Sequence, residues 1–100
     1  MSNKLNFKVD FIGIGAQRSG TTWLCKMLDQ HPQICTAKRR YEVHFFDRFY
    51  DRGVEWYRKQ FEHCKGEEQC KGEFTPDYIY DEKCAERIFE VVPKAKLIVI

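Results

Sequence analysis

Two stretches of this chain carry side chains that could do chemistry. The first is Gly15-Ala16-Gln17-Arg18-Ser19-Gly20-Thr21-Thr22, which has the glycine spacing and closing hydroxyl of the phosphate loop GxxxxGK[ST] but places Thr21 where that motif has its lysine. Such a loop offers a nest of backbone N–H groups at a helix N-terminus, and Arg18 with the hydroxyls of Ser19, Thr21 and Thr22 adds to it. A threonine supplies no cation for the β- and γ-phosphates, so a nucleoside triphosphate is held poorly. The expected ligand is a tetrahedral oxyanion of lower charge, bound without a metal ion. The second stretch is Glu42-Val43-His44-Phe45-Phe46-Asp47. On an extended chain Glu42, His44 and Phe46 share one face, which sets a carboxylate and an imidazole against an aromatic wall. Burial there would raise the carboxylate's pKa and make it a stronger general base. Asp47 falls on the opposite face and joins the pair only if the chain bends.

The elements that must position these residues follow from patterning. Residues 9–14 (VDFIGI) are a short apolar run broken by Gly13 and Gly15, the form of a buried parallel strand entering a tight turn. From Thr21 the spacing of Trp23, Leu24, Met27 and Leu28 is helical, and Pro32 ends it. Residues 33–37 form a second short strand, residues 38–40 a basic turn that is solvated or, as the alternative, a substrate patch, and residues 53–61 a helix packed through Trp56, Tyr57 and Phe61. Residues 65–72 read as a polar loop and Thr75-Pro76-Asp77 as a turn. Tyr78 and Tyr80 beside that turn are read as packing residues, with the lining of an acceptor pocket as the alternative. Asp81 caps a helix running to Val92, with Cys84, Ile88, Val91 and Val92 at three- and four-residue steps, and Pro93 closes it. Residues 96–100 (KLIVI) are a further buried-type strand. Alternating strand and helix argues for a parallel α/β sheet.

Composition narrows the function classes. In 100 residues, 43% are hydrophobic, 15% aromatic and 32% charged, which is globular and excludes a disordered chain. The net charge of +2 does not suggest nucleic-acid binding. The charge is uneven: residues 1–40 carry seven basic and two acidic side chains, residues 41–100 ten and thirteen, so an anion belongs to the first part. There is no apolar run of membrane-span or signal-peptide length, and a cytoplasmic location is expected. The five cysteines, Cys25, Cys35, Cys64, Cys70 and Cys84, include no CxxC pair, so no zinc site and no full disulfide framework is expected. The reading is of reduced thiols, Cys64 with Cys70 being the one pairing considered.

The run GAQRSGTTWL resembles the 5′-phosphosulfate loop of the sulfotransferases, which use 3′-phosphoadenosine 5′-phosphosulfate (PAPS) in a fold related to the nucleotide kinases. Residues 41–50, YEVHFFDRFY, resemble the EVHFFD segment of the heparan sulfate 3-O-sulfotransferase branch and its bacterial relatives, and GEFTPDYIY resembles that branch's KTPAYF segment. The matches run from about residue 11 to residue 100 in the family's order. The resemblance implies a P-loop NTPase-like, three-layer α/β fold with a parallel sheet, of which residues 1–100 would be the N-terminal part of a single domain. It implies PAPS as sulfuryl donor, held by Gln17, Arg18, Ser19, Gly20, Thr21 and Thr22, and Glu42 as general base on an acceptor hydroxyl of a carbohydrate or small alcohol. Arg18, His44 and Asp47 take the remaining active-site positions, and no metal is called for. Arg18 stands where many relatives have lysine, which keeps the charge and changes the donor geometry. Phe74 stands where the lysine before Thr-Pro lies near the acceptor, which argues against a polyanionic, heparan-like substrate. The family's grip on the 3′-phosphate lies just beyond the strand matched by residues 96–100. A non-catalytic fragment or binding module is therefore the rival reading, with a nucleotide kinase behind it.

Overall fold

The computed structural model describes residues 8–15, 21–38, 42–64 and 69–99, with the backbone alone for Thr21 and Thr22. The elements run β1 (Phe11–Gly15), α1 (Thr21–Asp29), β2 (Ile34–Thr36), a 3-10 turn (Tyr50–Arg52), α2 (Val54–Lys59), β3 (Cys70–Phe74), a second 3-10 turn (Pro76–Tyr80), α3 (Glu82–Val91) and β4 (Lys96–Val99). The strands form one sheet in the order β2-β3-β1-β4, and every pairing is parallel. This is the expected α/β fold. Among the described residues no helix is long and apolar enough to cross a membrane.

Alternation along β1 divides the core between the two sheet faces. Phe11 faces a small cluster with Phe74 and Cys25, against which Leu24 and Leu28 of α1 pack. Ile12 faces the larger cluster, which holds Phe45, Phe46 and Tyr57 together with Ile88 and Val91 of α3. Helix, sheet and helices thus make three layers. The close approach at Gly13 is obligatory, since a Cβ there would lie 1.8 Å from a ring carbon of Phe74. Phe74 itself is only 1% exposed. α3 begins as its sequence signals suggest, with the Asp81 carboxylate accepting from the Lys83 N–H at 3.0 Å.

Two expectations are corrected. Residues 65–72 are not all loop: Cys70, Lys71 and Gly72 open β3, which pairs with β2 on one side and β1 on the other. Their polarity and the glycine hid this strand, and the Phe11 ring occupies the space that a Cβ at Gly72 would need. β4 lies at the sheet edge among the described residues, with Leu97 48% and Val99 58% exposed. Finally, Cys64 pairs with Cys35 and not with Cys70, at a Cα–Cα distance of 5.8 Å, so these two thiols are not reduced. The register explains the choice of partner. Cys70 lies opposite Ile34 and Lys71 opposite Cys35, and Ile34 belongs to the cluster under α1 while Cys64 packs against the other. Cys70 thus points away from Cys64 and remains free, as do Cys25 and Cys84.

Candidate active site

β1 ends at Gly15, α1 begins at Thr21, and β3 ends at Phe74, so the site gathers at the carboxyl ends of the parallel strands, where open α/β sheets bind ligands. Gln17, Arg18, Ser19 and Gly20 lie outside the described residues, and Thr21 and Thr22 are the first two residues of α1. What is described around the loop suits an anion. The first turn of α1 carries no acidic residue, so no side chain of that turn offsets the positive end of its dipole. A Cβ at Gly15 would lie 2.7 Å from the Ile79 side chain, so only glycine lets the chain turn off β1 beside the second 3-10 turn.

Residues 42–47 are not extended as expected. His44 has φ 58°, a left-handed conformation that costs a non-glycine residue about 1 to 3 kcal/mol, and its carbonyl accepts from the N–H groups of Arg48 and Phe49 at 3.0 Å each. The chain therefore turns, and the sharing of faces changes. Val43, Phe45 and Phe46 are fully buried, whereas the chemical side chains stay at the surface of that core. The expected aromatic wall under Glu42 is replaced by burial of Phe46 on the far side. The turn supplies the bend that Asp47 needed. His44 Nε2 lies 3.2 Å from Glu42 Oε1, and His44 Nδ1 lies 3.2 Å from Asp47 Oδ2. Glu42, His44 and Asp47 thus form one chain of contacts. A neutral imidazole has one N–H to give, so it serves one of these carboxylates at a time. The burial expected of Glu42 is absent, its side chain being 54% exposed, while those of His44 and Asp47 are 12% and 10% exposed. Asp47 Oδ1 is buried and has no hydrogen-bond partner among the described residues.

The carboxylate of Glu42 also lies near the start of α1. The Cys25 thiol, one turn into that helix, is pushed up to about 12, first by burial and then by the charges of Glu42 and Asp29. Donor atoms of His44, Asp47 and Asp77 lie within 4.8 Å of one another and could receive a cation. Arg48 already contacts Asp77 at 3.2 Å and His44 already bridges two carboxylates, so a metal would displace existing contacts. Of the aromatic residues, Tyr57, Phe61 and Tyr78 are buried and Trp56 packs partly buried against them. Tyr80 is 70% exposed and is not a packing residue.

Sequence reasoning missed the support beneath residues 42–47. Glu73 is fully buried and accepts from the hydroxyls of Thr75 at 2.6 Å, Tyr57 at 2.5 Å and Tyr78 at 3.0 Å. Burial pushes its carboxyl up to about 7, against the pull of those three hydroxyls. The signal available was a charged residue between Gly72 and Phe74, which a polar-loop reading absorbs without comment.

A model of the sulfotransferase family matches residues 10–100. The chain is 40% identical over 102 residues to the membrane-associated sulfotransferase kil1 of Dictyostelium discoideum, covering all of this chain and 21% of that protein. It is 37% identical over 89 residues to human heparan sulfate glucosamine 3-O-sulfotransferase 5, covering 87% of this chain and 25% of that one. With the mouse bifunctional heparan sulfate N-deacetylase/N-sulfotransferase 3 it shares 38% over 96 residues, 90% of this chain and 11% of that one. The chain belongs to the sulfotransferase family, whose P-loop-like α/β fold agrees with its parallel sheet. It spans 21% to 25% of the length of the first two relatives.

Proposed function

We propose that this chain carries the donor loop and general base of a sulfotransferase that moves a sulfuryl group from PAPS to a hydroxyl of a carbohydrate acceptor. The observation that carries the reading is the contact chain from Glu42 through His44 to Asp47, at 3.2 Å on each side of the imidazole, set at the carboxyl ends of the strands beside α1. When bound, the phosphosulfate supplies the sulfuryl group, and its phosphate leaves with the S–O bonding pair. The exposed Glu42 takes the proton of the incoming hydroxyl, and His44 sits between Glu42 and Asp47, giving its N–H to one carboxylate at a time. Gln17 through Thr22 hold the donor, with Arg18 at the oxygen where charge develops. Phe74, buried where relatives place lysine, brings no cation to the acceptor side. The relative named a heparan sulfate glucosamine 3-O-sulfotransferase acts at a sugar oxygen, and on this basis the acceptor is assigned to the sugar hydroxyls. The Cys35–Cys64 disulfide supports an oxidising compartment in place of the cytoplasm.

The test is ligand stabilisation of the full-length protein. PAPS should raise the melting temperature more than ATP does, a tenfold affinity preference appearing as about 1.4 kcal/mol at saturating ligand, and transfer to a glucosamine-containing oligosaccharide should persist in a chelator. Strict magnesium dependence with ATP as donor would reassign the chain to the kinases.

A further inference from the structure

Four consecutive backbone N–H groups of the turn that presents the base end on two side-chain oxygens. Those of Val43 and His44 donate to Thr75 Oγ1 at 3.0 and 3.3 Å, and those of Phe45 and Phe46 donate to the Tyr78 hydroxyl at 3.1 and 3.4 Å. A hydroxyl has one proton to give and two places to accept. Here both acceptor places of each oxygen are taken by the turn, so each proton must go elsewhere, and both go to Glu73. Three hydroxyls, counting Tyr57, converge on one carboxylate that water does not reach.

That arrangement is directional. In its ionised form, which prevails above about pH 7, the carboxylate can only accept, so it holds the Thr75 and Tyr78 protons toward itself and turns their lone pairs toward residues 43–46. An uncharged partner with a proton of its own to give would compete for the same lone pairs. A hydrogen bond to a charged group is also stronger than a neutral one. The turn needs this help, because His44 sits in the left-handed region and residues 43–46 have no strand or helix of their own to satisfy their N–H groups. Thr75 is in turn fixed to the sheet, its N–H donating to the Gly13 carbonyl at 2.9 Å. On the other side, Arg87 of α3 donates to the Phe46 carbonyl at 2.8 Å.

We propose that Glu73 is a positioning residue of the transfer reaction: through the hydroxyls of Thr75 and Tyr78 it holds residues 43–46 in the turn that sets His44 between Glu42 and Asp47. The inference rests on the sulfotransferase reading of the site. It adds a residue that never touches substrate to the set that determines the rate.

The experiment uses the full-length protein, with PAPS and a glucosamine-containing oligosaccharide as substrates and hydrogen exchange read at residues 43–46. Thr75→Val removes the oxygen that Val43 and His44 use and keeps the shape of the side chain, whereas Thr75→Ser keeps the oxygen. With Thr75→Val, kcat should fall about tenfold while KM for PAPS stays within about twofold, the expected loss for one misdirected hydrogen-bond pair. Exchange at Val43 and His44 should speed up, and Thr75→Ser should restore both. A folded Thr75→Val protein with unchanged kcat, or with unchanged exchange in the turn, overturns the proposal. So does a Thr75→Ser protein that fails to recover. If Thr75→Val does not fold, Tyr78→Phe is read the same way at Phe45 and Phe46, and loss of folding in both variants means that the network serves stability alone. An unmodified protein without transfer activity counts against the sulfotransferase reading, and the exchange result then decides by itself whether the network holds the turn.

Discussion

The turn at residues 42–47 and the strand end at residues 73–78 behind it each present a glutamate, and the two have opposite settings. Glu42 is more than half exposed and meets His44 through one oxygen. Glu73 is fully buried, with three hydroxyls on its two oxygens. A group that must take a proton from an incoming molecule needs access and an uncommitted lone pair, and a group that must hold its neighbours still needs neither. The regular structure is on the supporting side. The chemistry is on a stretch whose shape is set from outside, by Thr75, Tyr78 and Arg87. Changes behind the turn that leave its hydrogen bonds alone should therefore register in stability, and changes on it in rate.

The largest effect expected on the supporting side comes from the disulfide. Cys35 and Cys64 close a loop with a sequence separation of 29, and opening a loop of that span removes roughly 3 to 4 kcal/mol on the chain-entropy account. Cys64→Ala in the full-length protein should lower the urea midpoint accordingly, while kcat measured well below the melting temperature stays within about twofold, because the hydrogen bonds that hold the turn come from Thr75 and Tyr78 and not from the cysteines. A Cys64→Ala protein of unchanged stability and much lower kcat would erase the division between the two regions.

Glu73 itself sharpens the contrast through pH. Burial raises its carboxyl from 4.5 to about 7, so between those values the folded chain keeps a proton that the unfolded chain has released. The stabilising effect of that proton is fully present below about pH 4.5 and is lost as pH rises through about 7, a change of roughly 3 kcal/mol. Unfolding of the full-length protein at pH 4.5 and pH 8, with Glu73→Gln as the reference, isolates this group. The difference between the two proteins should change with pH in that direction. A difference that does not vary with pH would mean that Glu73 is ionised throughout.

Much of this was legible in the sequence where one residue type has one strong local meaning. Gly13 and Gly15 mark the end of β1, Pro32 lies just beyond α1, and Asp81 caps α3 as its type requires. The grouping of Glu42, His44 and Asp47 was legible too, but not its geometry, because a strict alternation rule cannot foresee that His44 adopts a positive φ. That conformation depends on Thr75 and Tyr78, some thirty residues away. β3 was hidden for a related reason. It is flanked on both sides, so its backbone pairing and the rings of Phe11 and Tyr57 make it a strand despite the polar run Cys70-Lys71-Gly72-Glu73. The cysteine pairing followed strand register, which no spacing along the chain reveals.

The central claim is that Glu42 takes the acceptor proton from a turn held in place by its surroundings, and Glu42→Gln tests it most directly. The amide keeps the size and the exposure of the side chain but cannot take a proton. In the full-length protein kcat should fall by about 10²-fold or more, the usual size for a general base, while PAPS affinity and melting temperature stay nearly unchanged. A Glu42→Gln enzyme within a few-fold of its parent would contradict the account and take Glu42 out of the mechanism.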